Sequence, residues 1–468
     1  MADPTVERMH AWLREHEDDL LADYRSLLQI DSIQADPEPD APFGKGNREA
    51  LSLMLELSGS HGMTTSELEG FVGWGEFGEG EKLVMTLGHL DVVPVGPGWK
   101  HKPFGAEIDD GYVYARGAVD DKGPTMAAYY AARALKECFP ELSARVRCVY
   151  GCNEESGFKC VERYVQTEEA PTFGVAPDSG WPLYHAEKGI ANLLVEAQLV
   201  TGDVELLEIN GGQRPNIVID SCVARVRVAD SAREHIEAKL ADAWDRNVST
   251  TWAGDVLTVK AVGKAAHGAW PYGGDSAAIR ALRFLREIAP LPAQEEYERL
   301  FKIPESQGEG VGIQGADDVS GALSCNLGVI KTVDRHVLFT LNVRYPVTWK
   351  GEDLRKRCEE KLAEIGGGYR LASMEDSPSL YFPLDHPMVK AICEVHEEET
   401  GEKKEPGVMG GGTYARAVPN TVSIGTGWAG DGPAHETDER LKIDHLYKMS
   451  RIYAHILFRL VNLEASEA

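Results

Sequence analysis

The sequence predicts an α/β fold: a domain with an open, mostly parallel sheet, plus an inserted α+β domain. Three observations predict it. In residues 1–186 short apolar runs alternate with helical stretches, the pattern of a parallel sheet flanked by helices. From 187 to 382 the texture changes to alternating apolar and polar segments, and from 383 to 468 the α/β texture returns. At 468 residues the chain is also too long for one hydrophobic core. The expected layout is therefore a domain split between 1–186 and 383–468, with 187–382 as the insertion.

The elements follow in order. Val6, Met9, Leu13, Leu20, Tyr24, Leu27 and Leu28 recur at helical spacing, so the first thirty residues read as a long amphipathic helix with room for one interruption. A second helix is expected over Asn47–Gly62, and the polar, Gly-rich stretch Phe71–Gly80 separates it from the apolar strand Leu83–His89. That strand ends in His89-Leu90-Asp91, and residues two apart on an extended chain point to one face. Ala106–Tyr114 reads as a hairpin with Asp-Gly at its turn. Asp120 and Asp121 then stand ahead of a helix carrying Met126, Tyr129 and Leu135; one of them could be an N-cap, but a cap does not require two.

Strand Val146–Tyr150 runs into Asn153-Glu154-Glu155, and like charges at a strand end cost energy unless a cation compensates or one is protonated. Helix Phe158–Gln166 and strand Thr172–Ala176 follow, leading to Pro177-Asp178. Three strands thus end in histidine or acidic side chains, where open α/β sheets place their ligand sites. The insertion has helical stretches near Arg233–Ala243 and Ser276–Ile288, and it presents Arg214-Pro215-Asn216, Ala266-His267-Gly268 and Asn342-Val343-Arg344. After it come helix Asp385–Thr400, the glycine run Gly410-Gly411-Gly412-Thr413, strand Val422–Gly425, a loop presenting His435 and a last helix over Leu441–Leu460. The glycine run lacks the lysine of a phosphate-binding loop.

Bulk properties narrow the partners. With 43% hydrophobic and 26% charged residues the composition is that of a globular protein. The net charge of -27, from 75 acidic and 48 basic side chains, repels phosphate backbones and anionic lipid, so neither nucleic acid nor membrane is an expected partner. Eight scattered cysteines without a Cys-x-x-Cys pair suit reduced thiols. Met1–Asp19 lacks the basic and apolar regions of a secretory signal, and no apolar run is long enough to span a bilayer. A cytoplasmic protein is expected.

His89, Asp120, Glu155, Asp178 and His435 together can build a two-metal site if one carboxylate bridges. Imidazole with carboxylate suits Zn²⁺ or Mn²⁺ better than Ca²⁺ or Mg²⁺. Two such ions would activate a shared water and polarise a carbonyl, and Glu154 could take the proton from that water as general base.

Six stretches, in order, carry a resemblance: Gly88-His89-Leu90-Asp91-Val92-Val93-Pro94, Arg116-Gly117-Ala118-Val119-Asp120-Asp121-Lys122-Gly123, Asn153-Glu154-Glu155-Ser156-Gly157, Pro177-Asp178, Gly410-Gly411-Gly412-Thr413-Tyr414-Ala415-Arg416 and His435. They resemble the dinuclear metallopeptidase family of PepV-type dipeptidases, succinyl-diaminopimelate desuccinylase, acetylornithine deacetylase and peptidase T, with the PepV-type dipeptidases most similar. The resemblance implies that His89 and Asp178 bind one ion, Glu155 and His435 the other, and that Asp120 bridges them. Zn²⁺ is the expected metal, with Mn²⁺ or Co²⁺ as alternatives. It further implies that Asp91 orients His89 and that Glu154 is the general base and acid. The insertion would be a lid whose Asn216 and His267 hold the developing oxyanion, while Arg344 and Gly411-Gly412-Thr413 grip the substrate carboxylate. A cis Asp120–Asp121 peptide is implied as well.

Two stretches depart from the family pattern. Lys102-Pro103-Phe104 lacks the aspartate often found before Pro-Phe, and Asp275-Ser276-Ala277 has Asp-Ser where many relatives have asparagine before alanine. The expected activity is that of a metal-dependent dipeptidase acting on the N-terminal residue of short peptides, in a monomer whose long insertion replaces a partner subunit. An N-acyl-amino-acid deacylase of the same family is the alternative, and a non-catalytic metal- or peptide-binding relative a more distant one.

Overall fold

Leu83–His89 forms the strand that its apolar run predicts, and all of its residues are buried. Burial on both faces is what a continuous apolar strand inside a parallel sheet requires. It lies between Arg145–Gly151 and Phe173–Ser179 and is parallel to both, with His89 level with Gly151. Thr421–Gly425 adds a further parallel strand beside Phe173–Ser179. The carboxyl ends of these strands deliver His89, the Glu154 loop and Asp178 to one edge of the sheet.

The sheet is mixed rather than wholly parallel, because Thr64–Leu68 and Val72–Phe77 extend it as an antiparallel hairpin beside Arg145–Gly151. The second of these strands falls in the stretch read from sequence as a polar, Gly-rich separator. Its glycines are packing devices: a Cβ on Gly73 would meet Leu51 and Leu55 at 3.1 Å, and one on Gly75 would meet Ser58 at 2.7 Å. Helix Lys45–Ser60 therefore lies directly on a strand face that carries glycine at Gly73 and Gly75, which erases the alternating apolar signal.

The structure is a computed structural model that describes residues 3–242 and 245–464. Two compact units are present: Met1–His185 with Phe382–Gly407 and Gly412–Ala468, and Ala186–Tyr381 with Val408–Gly411. In the first, helix Lys122–Cys138 is buried along most of its length and packs on helix Ile443–Asn462. The N-terminal amphipathic stretch is two helices, Pro4–Glu15 and Glu17–Leu28, broken at His16; Met1 and Ala2 lie outside the described residues. The expected hairpin pairs Glu107–Asp109 with Tyr112–Tyr114, and Asp110 and Gly111 take the positive φ values of 46° and 77° that its tight turn demands.

The second unit is an antiparallel sheet of eight strands in the order Val248–Ala253, Val256–Val262, Ser221–Val228, Val204–Gly211, Ser324–Val333, His336–Tyr345, Gly189–Gln198 and Arg370–Ser377. Along Gly189–Gln198 alternate residues Ala191, Leu193, Val195 and Ala197 are fully buried in one core with Leu282, Leu285 and Ile288 of helix Ala277–Ile288. Ser276 is the N-cap of that helix, its side chain accepting from the Ile279 amide, so the Asp-Ser departure exchanges one good capping residue for another. The helical stretch near Arg233 is Asp230–Asp242, and Ala243 lies outside the described residues. Among the described residues no helix is long and apolar enough to cross a membrane.

Candidate metal centre

The centre begins at Gly88, where a Cβ would meet Thr125 Oγ1 at 2.0 Å; glycine lets the strand end approach the start of helix Lys122–Cys138. The Asp121 carboxylate fills that junction, accepting the His89 amide at 3.2 Å and the Thr125 hydroxyl at 2.9 Å. The Asp120–Asp121 peptide is cis. His89 is 1% exposed, and its ring meets the edge of Tyr414 at a centroid distance of 6.1 Å.

Asp120 faces two histidines, one oxygen to each: Oδ1 lies 3.1 Å from His89 Nε2 and Oδ2 lies 3.0 Å from His435 Nε2. His435 Nε2 is also 3.0 Å from Glu155 Oε1. A single N–H cannot point at both carboxylates, and Glu155 Oε1 is buried without an aligned hydrogen-bond donor. Glu154 and Asp178 complete the cluster. Ligand atoms of His89, Glu154 and Asp178 lie within 4.8 Å of one another, as do those of His89, Asp120 and Glu155. These are candidate metal-binding groups.

Asp91 makes a connection that sequence reasoning did not anticipate. Its carboxylate accepts the amides of Glu154 at 2.9 Å and Glu155 at 3.0 Å, and so fixes the backbone of both glutamates. The oxygen nearest His89 Nδ1 is the Asp91 backbone carbonyl at 3.0 Å, with the carboxylate at 3.6 Å. Asp91 thus meets the imidazole through two of its oxygens while it anchors the Glu154 loop. Tyr414 was also unforeseen: its hydroxyl accepts the Asn153 amide at 3.1 Å, and its ring occupies space that a Cβ on Gly151 would fill.

Electrostatics follow from crowding. Even with both imidazoles protonated, Asp120, Glu154, Glu155 and Asp178 leave an excess of two negative charges. Burial, reinforced by Glu155, Asp120 and Asp91, raises the Glu154 carboxyl well above its usual range. Burial and the charges of Asp120 and Glu154 do the same to Asp178. His435 is pushed up to about 10 by the Asp120 and Glu155 carboxylates that its Nε2 approaches. Burial opposes ionisation of Asp120, but bonds from His435 and His89 outweigh it and hold Asp120 low. The donor set and its surplus charge fit divalent cations: imidazoles, an orphaned carboxylate oxygen and uncompensated carboxylates in one part-buried site.

The second unit groups its own candidates. The Gly268 amide donates to Asn216 O at 2.7 Å, and Ile217 bridges to His267, so the Asn216 and His267 segments are joined. Asn326 Nδ2 donates to Pro215 O at 2.8 Å, and Asn342, opposite Asn326 in the sheet, accepts from Arg344 Nε at 3.1 Å. Arg344 Nη1 donates to Gly410 O at 2.9 Å. Arg344, Lys188, Trp270 and Gly410 line a cavity of about 370 Å³ within this unit. Gly411 belongs to the second unit, whereas Gly412 and Thr413 belong to the first, where Thr413 Oγ1 accepts the Ala415 amide at 3.2 Å.

Comparison with known proteins adds four findings. A model described as peptidase family M20/M25/M40 matches residues 85–459. The chain is 34% identical over 458 residues to "Putative dipeptidase YtjP" of Bacillus subtilis (strain 168), covering 95% of this chain and 97% of that protein. Among solved structures, human carnosine dipeptidase 1 superposes with a TM-score of 0.58 at 15% identity, covering 99% of this chain and all (100%) of that one. The Bacillus subtilis YXEP protein, described as a dinuclear metal binding peptidase from M20 family, gives a TM-score of 0.50 at 13% identity, covering 97% of this chain and 100% of that one. At those identities the two structures show a shared fold.

Proposed function

The chain belongs to peptidase family M20/M25/M40 and is a hydrolase; on that premise we propose that it is a metal-dependent dipeptidase that releases the N-terminal residue of short peptides. The observation that carries the reading is Asp120 set between His89 and His435, one oxygen to each, beside a part-buried surplus of carboxylates. In this reading His89 and Asp178 would hold one divalent ion and Glu155 and His435 the other, with Asp120, which faces both histidines, as a ligand shared between the two sets. Zn²⁺ is the first candidate, with Mn²⁺ or Co²⁺ as alternatives. Ions bound there supply Lewis acidity toward a peptide carbonyl and acidify the attacking water.

The chain's own residues do the rest. Glu154, whose carboxyl is pushed up by burial and neighbouring charge, takes the proton of the attacking water and passes it to the leaving amine. Asp91 fixes that base through its amide. Asn216 and His267 hold the carbonyl oxygen as it gains charge, and Arg344 with Gly411, Gly412 and Thr413 grips the peptide's terminal carboxylate, for which a guanidinium fork is well shaped. In this role the insertion 187–382 is a lid on a monomeric, cytoplasmic enzyme. The similarity to YtjP along nearly the whole chain favours a dipeptide substrate.

Turnover of unblocked dipeptides against N-acylated amino acids tests the substrate. Hydrolysis of the dipeptides is expected; exclusive use of the acylated set would replace the reading with a deacylase, and turnover of neither would favour a binding protein. Exhaustive chelation is expected to abolish activity and Zn²⁺, Mn²⁺ or Co²⁺ to restore it. Activity that survives chelation would refute the metal assignment.

A further inference from the structure

Glu439 lies four residues beyond His435 and is fully buried (0% exposed). Both of its oxygens are saturated. Oε2 accepts from Arg116 Nη1 at 2.7 Å and from the Gly117 amide at 3.2 Å, while Oε1 accepts the amides of Val119 at 3.0 Å and Asp120 at 3.2 Å. Its backbone carbonyl accepts the Ala115 amide at 3.0 Å. Arg116, 1% exposed, reaches further: Nη1 also donates to Glu436 O at 3.2 Å and Nη2 to Pro94 O at 3.3 Å. Three loops meet at this one ion pair: the loop after the His89 strand, the loop that carries Asp120, and the loop that carries His435.

A buried ion pair is weak evidence for stability, since well-packed apolar residues often do as well. What this pair supplies is position. Glu439 takes up the amide of Asp120 itself, and Arg116 ties down the residue next to His435. His435 needs such an anchor, because its side chain is 53% exposed and it lies outside helix and strand at a φ of 64°.

We infer that Glu439, acting with Arg116, is a positioning residue of the metal centre: it holds Asp120 and His435 in register with His89 before any ion binds. The inference rests on the metal-centre reading above. Removing such a support behind a metal ligand costs about 10–100-fold in metal affinity.

The test is calorimetric titration of stripped protein with Zn²⁺ or Mn²⁺, paired with thermal melts. Wild-type protein is expected to bind two ions, and Glu439→Gln to bind them about 10–100-fold more weakly. Glu76→Gln breaks another partly buried pair, with Arg147, and is expected to lower the melting temperature while leaving metal affinity unchanged. If Glu439→Gln does not fold, Arg116→Met combined with Glu439→Leu removes both charges together, and the same loss of affinity is expected of it. Wild-type affinity in either folded variant, or an equal loss in Glu76→Gln, would overturn the inference. Wild-type protein that binds no ion would instead overturn the metal-centre reading on which it rests.

Discussion

His89 and His435 face the same aspartate, yet the chain holds them in opposite ways. His89 is the last residue of a buried strand, 1% exposed, with its amide on Asp121, its Nδ1 beside the Asp91 carbonyl and Tyr414 against its ring. His435 sits in a loop with its side chain half in solvent. The first is fixed by the sheet itself, the second by a brace behind it. One end of the candidate centre is therefore fixed by the core, and the other can be adjusted without disturbing it.

Experiments can break that contrast, beginning at the fixed end. Glu154→Gln is expected to lower kcat by about 10²–10⁴-fold, the usual contribution of a general base, with metal content unchanged; steady-state kinetics and metal analysis decide it, and near-normal turnover would remove Glu154 from the role. Asp91→Asn leaves one acceptor for two glutamate amides and is expected to weaken metal binding by about 10–100-fold. Titration of the stripped variant measures this, and an unchanged affinity would mean that the Asp91 carboxylate is dispensable.

The histidines themselves give the next comparison. By urea denaturation of metal-free protein, His89→Ala is expected to cost about 1–3 kcal/mol, because it empties a packed site and strips partners from buried groups. His435→Ala is expected to cost less than His89→Ala, because its side chain is half in solvent and its charge partnership with Asp120 and Glu155 is screened there. Equal costs would erase the distinction between the two ends.

The smallest effect is a drift with pH. Burial and like charges raise the Glu154 and Asp178 carboxyls in the folded chain, so the stability they contribute is present below an unfolded value of about 4 and is lost as pH rises through the raised folded values. His435, raised to about 10, has the same sign: its contribution is complete below about 6.5 and fades toward 10. The melting temperature of chelated protein is therefore expected to fall steadily from pH 6 to pH 9, and that of metal-loaded protein to hold. A rise on chelated protein would contradict the charge balance of the centre.

What was legible in the sequence was what a period or a residue type can encode. The apolar run before His89, the paired acids after Val119 and Tyr150, and Asp178 after a short strand each mark a strand end or helix start, and the fold brings those side chains together with His435. Strand Val72–Phe77 was illegible because its inward positions are glycines, chosen for what they leave out. Glu439 left no trace because a lone glutamate near a histidine looks like any solvated acid; only the three loops converging on it reveal its place. Asp91 was read from spacing as a partner of His89, and its grip on two successive amides depends on a loop more than sixty residues away in sequence, which no local pattern carries.

That grip has a consequence for anyone trying to redesign the centre. Glu154 and Glu155 hang from the two oxygens of a single carboxylate, so the proposed base and the proposed ligand beside it form one mechanical part. On the proposed function, a substitution that shifts Glu155 to suit a larger ion would also displace Glu154. Retuning metal choice and retuning catalysis should then prove strongly non-additive at positions 91, 154 and 155, and variants that change one without the other should be found elsewhere, on the loop of His435.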